Sequence, residues 1–512
     1  MEVLQLLAGG FGHVLAPANM LALAIGVIAG MLVAVLPGLT LVMGVVLALP
    51  FTYKLGITPA VILLTAMYVT GTYGGAFTAI LFKIPGEPLD VPLLWDGWKM
   101  AQKGRPAEAL GWTLFAAFFA GLLTVTCMVL MAVPFAKFAL QFDAPDYFAI
   151  IAFGLTSVVA LGGASLTNAF ISLFIGLFLA TIGVDETFGA DRYTFGIPLL
   201  ADGVEYLTVM VGAYGLGEVL VRFEQKFSSQ PMAMDAKVKT KLPGLGEALR
   251  LRATMLRSSL IGLICGIVPG AGATIASFVS YGIERQYGAA RAKLGTGVPE
   301  GIVAPQIAST ASVGGHMVPL LVLGIPGSGA TAVILGAFLL HGVQPGPQIF
   351  QTQSDMVYTL FASMFVSVVA MCAVGYFAIK SLVRVLYFPE AVTSAFVVML
   401  CFVGALAARN NITDVWMVAV FGVVGYLFEK FRFPIAPMIL GTILGPTAER
   451  TFQTTMISFQ NDFTIFFQRP VSGIVLMLAA IALGVPVIKS WKDLYIPALR
   501  RRLGTAVPAK LS

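Results

Sequence analysis

The sequence predicts an all-α integral membrane protein of about 12 transmembrane helices in two related halves. Of its 512 residues, 58% are hydrophobic and only 11% are charged, and the mean hydropathy is +0.91. A soluble domain carries about a quarter charged residues, so this chain cannot cover itself with a water-facing surface. Apolar runs recur from Leu21 to Ile488, and in each half two Pro-Gly pairs interrupt them.

A helix needs about 20 apolar residues to cross the hydrocarbon core of a bilayer. The candidate full-length spans are residues 18–36, 108–133, 166–183, 199–221, 356–379, 391–408, 413–428 and 470–488. The interrupted apolar segments are 41–83, 258–281, 311–341 and 432–447. The first run has no basic segment before it and is interpreted as a retained span rather than a cleaved signal.

Basic residues concentrate in two stretches, which divide the chain. Residues 222–257 hold eight lysines and arginines against three acids, and residues 489–512 hold a second group. Both are predicted to be cytoplasmic by the positive-inside rule, whereas nucleic-acid binding is not expected of charges that flank membrane spans. The predicted organisation is a transmembrane repeat (1–221), a basic loop (222–257), a second repeat (258–488) and a basic tail (489–512). Asp96 and the basic residues Lys99, Lys103 and Arg105 are interpreted as another cytoplasmic loop.

Enzyme chemistry finds no support in the sequence. The chain lacks H-E-x-x-H, G-x-S-x-G and G-x-x-x-x-G-K-[ST], which zinc proteases, α/β-hydrolases and P-loop ATPases require. Its four cysteines lie far apart in apolar segments without metal-type spacing. We therefore expect no catalytic residues, no resident metal and no cofactor.

The Pro-Gly pairs follow the same order in both halves. Leu36–Thr40 and then Gly74-Gly75 with Ile84–Gly86 correspond to Val268–Thr274 and then Gly314-Gly315 with Ile325–Gly327. Proline removes a backbone donor and breaks a helix, and a lone Pro-Gly is usually a simple kink. Interruptions at corresponding positions of two halves instead point to the binding site of a secondary transporter, with the halves as probable inverted repeats.

Segment 258–281 has about 11 apolar residues on either side of Pro269-Gly270, too few in each arm to span a bilayer. Basic residues flank both ends, which favours a re-entrant hairpin that enters and leaves on one side. A single broken span with its ends on opposite sides is the alternative.

Each break starts a new half-helix, whose free N–H groups and positive dipole end favour carboxylates. Hydroxyls near these starts can contact the anion or a coupling sodium ion, although each can equally be a helix cap. Lys83 is a candidate anion contact, although it can also snorkel to the interface. The candidate substrate-binding residues are Gly38, Thr40, Gly75, Lys83, Pro85, Gly86, Gly270, Gly272, Thr274, Gly315, Pro326, Gly327 and Ser328. The candidate ion-coupling residues are Thr40, Thr274, Ser309 and Thr310.

At these same residues the chain resembles the large membrane subunit of the tripartite tricarboxylate transporters, the TctA family. Further family-like motifs are Asp96-Gly97, Lys103-Gly104-Arg105, Pro319-Leu320-Leu321, Pro345-Gly346-Pro347, Phe433-Pro434 and Leu444-Gly445-Pro446. The resemblance runs from about residue 18 to 455. It implies a bacterial inner-membrane protein that works with a small four-helix membrane subunit and a periplasmic solute-binding protein, importing an organic anion by alternating access in a sodium or proton gradient.

The chain departs from the family pattern near the expected site. It has Gly75-Ala76-Phe77 where the family usually has Gly-Gly-Ser, and Lys83 where an asparagine is usual. A common acid-plus-asparagine stretch is replaced by Gln306 and Ser309-Thr310. These differences favour a carboxylate other than citrate. A stand-alone anion transporter or a channel, neither of which needs a binding protein, is the alternative function.

Overall fold

The structure, a computed structural model, describes residues 2–36, 39–161, 165–185, 189–196, 198–201, 203–224, 240–270, 272–377, 390–484 and 487. Within these residues the regular structure is helical apart from one antiparallel pair of short strands, β1 (Gly183–Val184) and β2 (Asp191–Arg192). Seven of the described helices are long and apolar enough to cross a membrane, and seven more apolar helices have 10–17 residues. The all-α membrane architecture is confirmed, and the total of about 12 spans stays a prediction.

The first half contains eleven described helices and three tighter or wider turns of helix. They are α1 (Glu2–Val14), α2 (Pro17–Val35), α3 (Leu41–Thr52), α4 (Ile57–Phe82), a 3-10 turn (Pro88–Asp90), a π-helical turn (Leu94–Trp98), α5 (Lys99–Gln102), α6 (Pro106–Ala139), α7 (Ala144–Leu161), α8 (Leu166–Ala180), α9 (Pro198–Ala201), α10 (Tyr206–Met210), a second π-helical turn (Val211–Leu216) and α11 (Gly217–Glu224).

The second half repeats the order of hairpin, long helix, short helix and long helix. Its elements are α12 (Leu245–Arg250), α13 (Arg252–Ile267), α14 (Gly272–Tyr287), a 3-10 turn (Arg291–Lys293), α15 (Glu300–Leu323), α16 (Gly329–Leu340), α17 (Ile349–Thr352), α18 (Ser354–Phe377), α19 (Glu390–Arg409), α20 (Ile412–Lys430), α21 (Ile435–Ser458), α22 (Ile465–Gln468) and α23 (Pro470–Gly484). Helix α12 and the start of α13 fall within the stretch 222–257. Residues 225–239 of that stretch, and the whole tail 489–512, lie outside the described residues.

Helices α4 and α15 form the centre of the molecule, and both are buried along almost their whole length. They run antiparallel, because Tyr68 contacts His316 at 2.6 Å while Thr72, one turn further along α4, accepts a hydrogen bond from Gln306 at 3.2 Å. Both helices are rich in glycine, alanine, serine and threonine, which let helix backbones approach closely in a membrane protein.

In each half, the helix before the first Pro-Gly break packs parallel to the central helix: α2 packs on α4, and α13 packs on α15. The glycine contacts advance in the same direction along both partners: Gly26 with Leu63, Gly30 with Met67, Gly262 with Ala308, and Gly266 with Ser312. Because α4 and α15 are antiparallel, the unit α2–α4 and the unit α13–α15 have opposite orientations.

Helices α13 and α14 form a hairpin whose tip is Pro269. The hydroxyls of Ser258 and Ser280 are 2.9 Å apart, and Thr254 donates to Glu284 at 3.2 Å. These pairs are symmetric about Pro269, so the two arms lie side by side. The predicted hairpin at 258–281 is confirmed, and a single broken span is excluded.

The long helices α6 and α18 pack on the central helices α15 and α4, and several of the other helices form a second layer in which the halves interleave. Helices α7 and α8 pack on α21, and the α10–α11 segment packs on α20. The short helices α3 and α16 pack against each other, and they also contact α19 and α21 of this layer, respectively. The two short helices therefore lie where the central units meet the outer layer.

Helix α7 is missing from the spans expected from the sequence. Its first turn contains Pro145 and Asp146, and its apolar stretch is shorter than a full span. Asp146 is buried because it is ion-paired with Arg469, at 2.8 Å. An acid at the start of a short apolar run therefore concealed this apolar helix.

Asp96 is wholly buried and joins the two halves, and the cytoplasmic position expected for the segment from Asp96 to Arg105 stays a prediction. Its carboxylate accepts backbone N–H groups of Gly295, Gly297 and Val298 at 2.8, 2.7 and 3.1 Å and the hydroxyl of Tyr281 at 2.9 Å. The π-helical turn directs the side chain inward, against the loop between α14 and α15. Among the described residues no arginine or lysine is paired with this carboxylate. The four hydrogen-bond donors take the place of the water molecules that would otherwise solvate it.

Asp96→Ala should destabilise the protein by about 3 kcal/mol, because it leaves several buried donors without an acceptor. We expect a lower Tm in detergent, followed by intrinsic fluorescence. Asp462→Ala is the matched control, since Asp462 is exposed and its side chain accepts hydrogen bonds from Thr464 alone among the described residues. An equal change in Tm for both variants would contradict the role given to Asp96.

Candidate functional site

A cavity of about 240 Å³ lies where three half-helices begin. The first residues of α3, α14 and α16 line it, together with residues of α4, α7 and α21, so both halves contribute. Its lining contains no lysine or arginine. The polar side chains in the lining are Tyr68, Thr72, Glu87, Thr274 and Ser328.

Three larger cavities, of about 360, 300 and 290 Å³, have other linings. One of them reaches Gly324, just before the second Ile-Pro-Gly break, but none is lined by the first residues of α3, α14 or α16. We assign the candidate site to the smaller cavity because the interrupted backbone and three helix N-termini meet there.

In the second half the two breaks close on one another. The N–H of Gly270, which has a φ of +82°, donates to the carbonyl of Gly327 at 3.1 Å. In the first half a Cβ on Gly86 would lie 2.5 Å from the Cα of Gly75 and 2.8 Å from the carbonyl oxygen of Ala34. Only glycine fits at these contacts, because the approach is between backbones and Gly270 needs the left-handed region.

Side chains of this protein already cap two of the three half-helices. Thr40 accepts the N–H of Met43 at 3.2 Å, and Glu87 accepts the N–H of the first residue of α3. Ser328 accepts the N–H of Thr331 at 3.3 Å, and the Thr331 hydroxyl accepts the N–H of Ser328 at 2.8 Å. Thr40 and Ser328 are thus helix caps, as the alternative interpretation of the sequence allowed.

The N-terminus of α14 is different. In the part of the chain that the structure describes, no side chain accepts a hydrogen bond from the N–H groups of its first turn. Thr274 lies in this turn and lines the cavity. A helix N-terminus with free N–H groups attracts an anion through hydrogen bonds and its dipole. The cavity can therefore hold a carboxylate at α14 without a basic side chain.

A buried hydrogen-bond network extends from the cavity into the central helix pair. The hydroxyl of Tyr68 lies 2.6 Å from Nδ1 of His316 and 3.1 Å from the hydroxyl of Ser328. His316 is completely buried, and its Nε2 has no partner among the described residues. The network orients Ser328 at the cavity wall.

The structure brings most of the predicted substrate-binding residues together. Five of them line the cavity: Gly270, Gly272, Thr274, Gly327 and Ser328. Thr40 precedes the lining residue Leu41, and Gly75 contacts Gly86 immediately before Glu87. Pro85 and Pro326 lie in the breaks, and Gly38 is outside the described residues.

Three predicted residues lie inside the central pair and away from the cavity lining. Gly315 faces Gly266 of α13, where a side chain would not fit. The Ser309 hydroxyl donates to the carbonyl of Gln306 at 3.0 Å, and the Thr310 hydroxyl accepts from the Gln306 amide at 3.1 Å. The predicted ion-coupling role of Ser309 and Thr310 stays a prediction.

Lys83 ends α4 outside the cavity lining. It is exposed, has a φ of 60°, and its ammonium lies 4.6 Å from the ring centre of Trp98. In the second half Gly324 ends α15 with a φ of 70°. Both residues are therefore left-handed C-caps that stop the helix before Ile-Pro-Gly.

Sequence reasoning missed Tyr68 and did not assign Glu87. Tyr68 lies mid-helix, and no local pattern distinguishes it from a core aromatic residue. Glu87 did carry a signal, because it directly follows Ile-Pro-Gly at the position that Ser328 holds in the second half. Val158 of α7 was missed with its helix.

Lys83→Gly should keep the half-saturating carboxylate concentration within about twofold of the wild-type value, which corresponds to a change in binding free energy below about 0.5 kcal/mol. It should also raise the Tm, because glycine adopts the left-handed cap without strain. Lys83→Ala is the comparison variant that removes the side chain but keeps the strain. If the side chain contacts the anion, both variants will instead weaken uptake equally.

Known proteins are similar to this chain along most of its length. Residues 20–440 match the profile of the tripartite tricarboxylate transporter TctA family. An uncharacterized 52.8 kDa protein in the TAR-I ttuC' 3' region of Agrobacterium vitis is 32% identical over 496 residues, covering 96% of this chain and 98% of the relative. A second protein, in the TAR-II ttuC' 3' region of Agrobacterium vitis, is 32% identical over 236 residues, covering 45% of this chain and 97% of that relative. No solved structure matches the chain.

Proposed function

Because the chain belongs to the tripartite tricarboxylate transporter TctA family, we propose that it is the large membrane subunit of a binding-protein-dependent secondary transporter. It imports an organic di- or tricarboxylate across the bacterial inner membrane. A periplasmic solute-binding protein delivers the anion, a small four-helix membrane subunit completes the complex, and a sodium or proton gradient drives uptake.

The observation that carries this proposal is the convergence of the N-terminal ends of α3, α14 and α16 on one cavity. The positive ends of three helix dipoles attract an anion, whereas buried lysine or arginine would cost more and would hold the anion too firmly for release. Thr274 and the free N–H groups of α14 supply the direct contacts.

The opposed orientation of the two central units supports alternating access. The ion pair of Lys430 with Glu224, at 2.7 Å, brings the ends of α20 and α11 together beside the basic loop, on the cytoplasmic side by the positive-inside rule. The hairpin of α13 and α14 then enters from the cytoplasm, and α2 with α3 enters from the periplasm. Inverted repeats of this kind can exchange conformations to expose one site to either side.

Uptake into membrane vesicles tests this function. Vesicles that contain the chain and its small subunit receive the binding protein and labelled citrate, malate, succinate or glutarate. We expect one carboxylate to accumulate about tenfold for a tenfold inward sodium or proton gradient, the limit for one coupled ion. Uptake unaffected by collapsing both gradients would contradict the coupled mechanism.

Two further outcomes separate the alternatives. Accumulation without the binding protein would favour a stand-alone transporter, and flux that never saturates would favour a channel.

Gly270→Ala should abolish uptake, because the new Cβ meets the backbone of Ser157 and Val158 at 3.0 Å. Gly9→Ala is its matched control, since nothing lies within 4 Å of that position.

A further inference from the structure

The two Ile-Pro-Gly breaks lead into the same hydrogen-bonded turn with different chemistry. After Gly86 the turn is Glu87-Pro88-Leu89-Asp90, and after Gly327 it is Ser328-Gly329-Ala330-Thr331. In both, the fourth side chain accepts the N–H of the first residue: Asp90 from Glu87 at 2.9 Å, and Thr331 from Ser328 at 2.8 Å. Two carboxyl groups in the first half thus stand where the second half has two hydroxyls.

Asp90 is buried and Glu87 is half-buried at the cavity, and neither carboxyl group has a counter-ion among the described residues. Asp90 is 1% exposed, and its Oδ1 has no hydrogen-bond partner among the described residues. Neither Glu87 nor Asp90 forms an ion pair within the described part of the chain. A structural cap needs neither carboxyl, since hydroxyls serve in the second half. Two adjacent buried carboxylates resist being ionised together, so the pair retains a proton readily.

The pair connects directly to the candidate anion site. Glu87 lines the cavity and accepts the first N–H of α3, which is one of the groups that attract an anion. On the α4 side the nearest titratable group is Tyr68, which is hydrogen-bonded to His316 of α15. On the α14 side Ser277, which is not titratable at physiological pH, donates to the carbonyl of Leu89 at 2.7 Å.

We propose that Glu87 and Asp90 together carry the proton that couples to carboxylate import. This inference rests on the proposed transport function and assigns its driving ion. A negatively charged Glu87 repels an entering anion and competes for the N-terminus of α3, so protonation of the pair and binding of the anion favour each other. By reciprocity the bound anion raises proton affinity by the same factor. The proton enters from the periplasmic water, crosses on the pair, and leaves to the cytoplasmic water with the anion.

Glu87→Gln and Asp90→Asn imitate the protonated pair and test the proposal in the complete complex. The labelled carboxylate identified by the uptake panel is followed in two assays. Exchange of internal for external carboxylate needs no net proton movement, so both variants should still catalyse it, and it serves as the reference for accumulation. Accumulation driven by an inward proton gradient should fall at least about tenfold, to the level without a gradient. Glu108→Gln, outside the cavity, is the matched control.

Several results would overturn the assignment. Proton-driven accumulation by both variants at the wild-type level would remove the pair from coupling. Loss of exchange by variants that assemble normally would also overturn the assignment, because the carboxyl groups would then be needed for anion binding rather than for coupling. Wild-type uptake that follows a sodium gradient and ignores a proton gradient would leave the proposed transport function intact and reject this inference alone.

A measurement on the intact transporter decides the matter if a variant does not assemble. Pyranine trapped in wild-type vesicles should report internal acidification in proportion to carboxylate entry. Dicyclohexylcarbodiimide, which modifies carboxyl groups in apolar surroundings, should block accumulation and label the peptide that contains Glu87 and Asp90. Carboxylate entry without acidification, or full activity after labelling, would refute the proposal.

Discussion

Interrupted backbone inside a membrane protein must satisfy its own polar groups, and much of this architecture follows from that requirement. Each Pro-Gly pair ends one helix and starts another, and the freed groups need partners that lipid cannot supply. In the second half the fold provides them by closing the two breaks on one another, through the bond from Gly270 to Gly327. The first residues of α3, α14 and α16 then meet at one cavity beside α4. The uncapped N–H groups at the start of α14, which lines the cavity, remain available to a ligand.

The same scaffold has acquired different chemistry in its two halves. Lys83 and Gly324 both end a central helix in the left-handed region, although glycine alone does so without strain. Glu87 and Asp90 occupy the turn that Ser328 and Thr331 occupy in the other half. The shared positions carry the backbone geometry, whereas the differing side chains adjust charge at the cavity. The two oppositely oriented central units thus share backbone geometry at the second break and differ in the charge of the side chains that follow it.

Contacts far apart in sequence hold the two halves together at both ends of the central pair. Asp96 joins the first half to the loop before α15, and the Tyr68–His316 contact joins α4 to α15 beside the cavity. Both are buried polar interactions whose partners lie about 200 residues or more along the chain. These contacts favour movement of the central units as one rigid body. We therefore expect movement during transport where the central units contact the outer layer, at α3 and α16.

The sequence by itself determined the membrane class, the common order of the Pro-Gly pairs in the two halves, and the hairpin at Pro269, because composition and helix-breaking residues act locally. It also identified Gly270, Thr274 and Ser328 near the site, since breaks must expose N–H groups wherever they occur. Only the tertiary structure decided which breaks share a cavity, that Tyr68 and Glu87 line it, and that Lys83 does not. It likewise revealed α7 and the buried state of Asp96. These features depend on partners far away in sequence, and a local pattern carries no information about a charge that distant donors will stabilise.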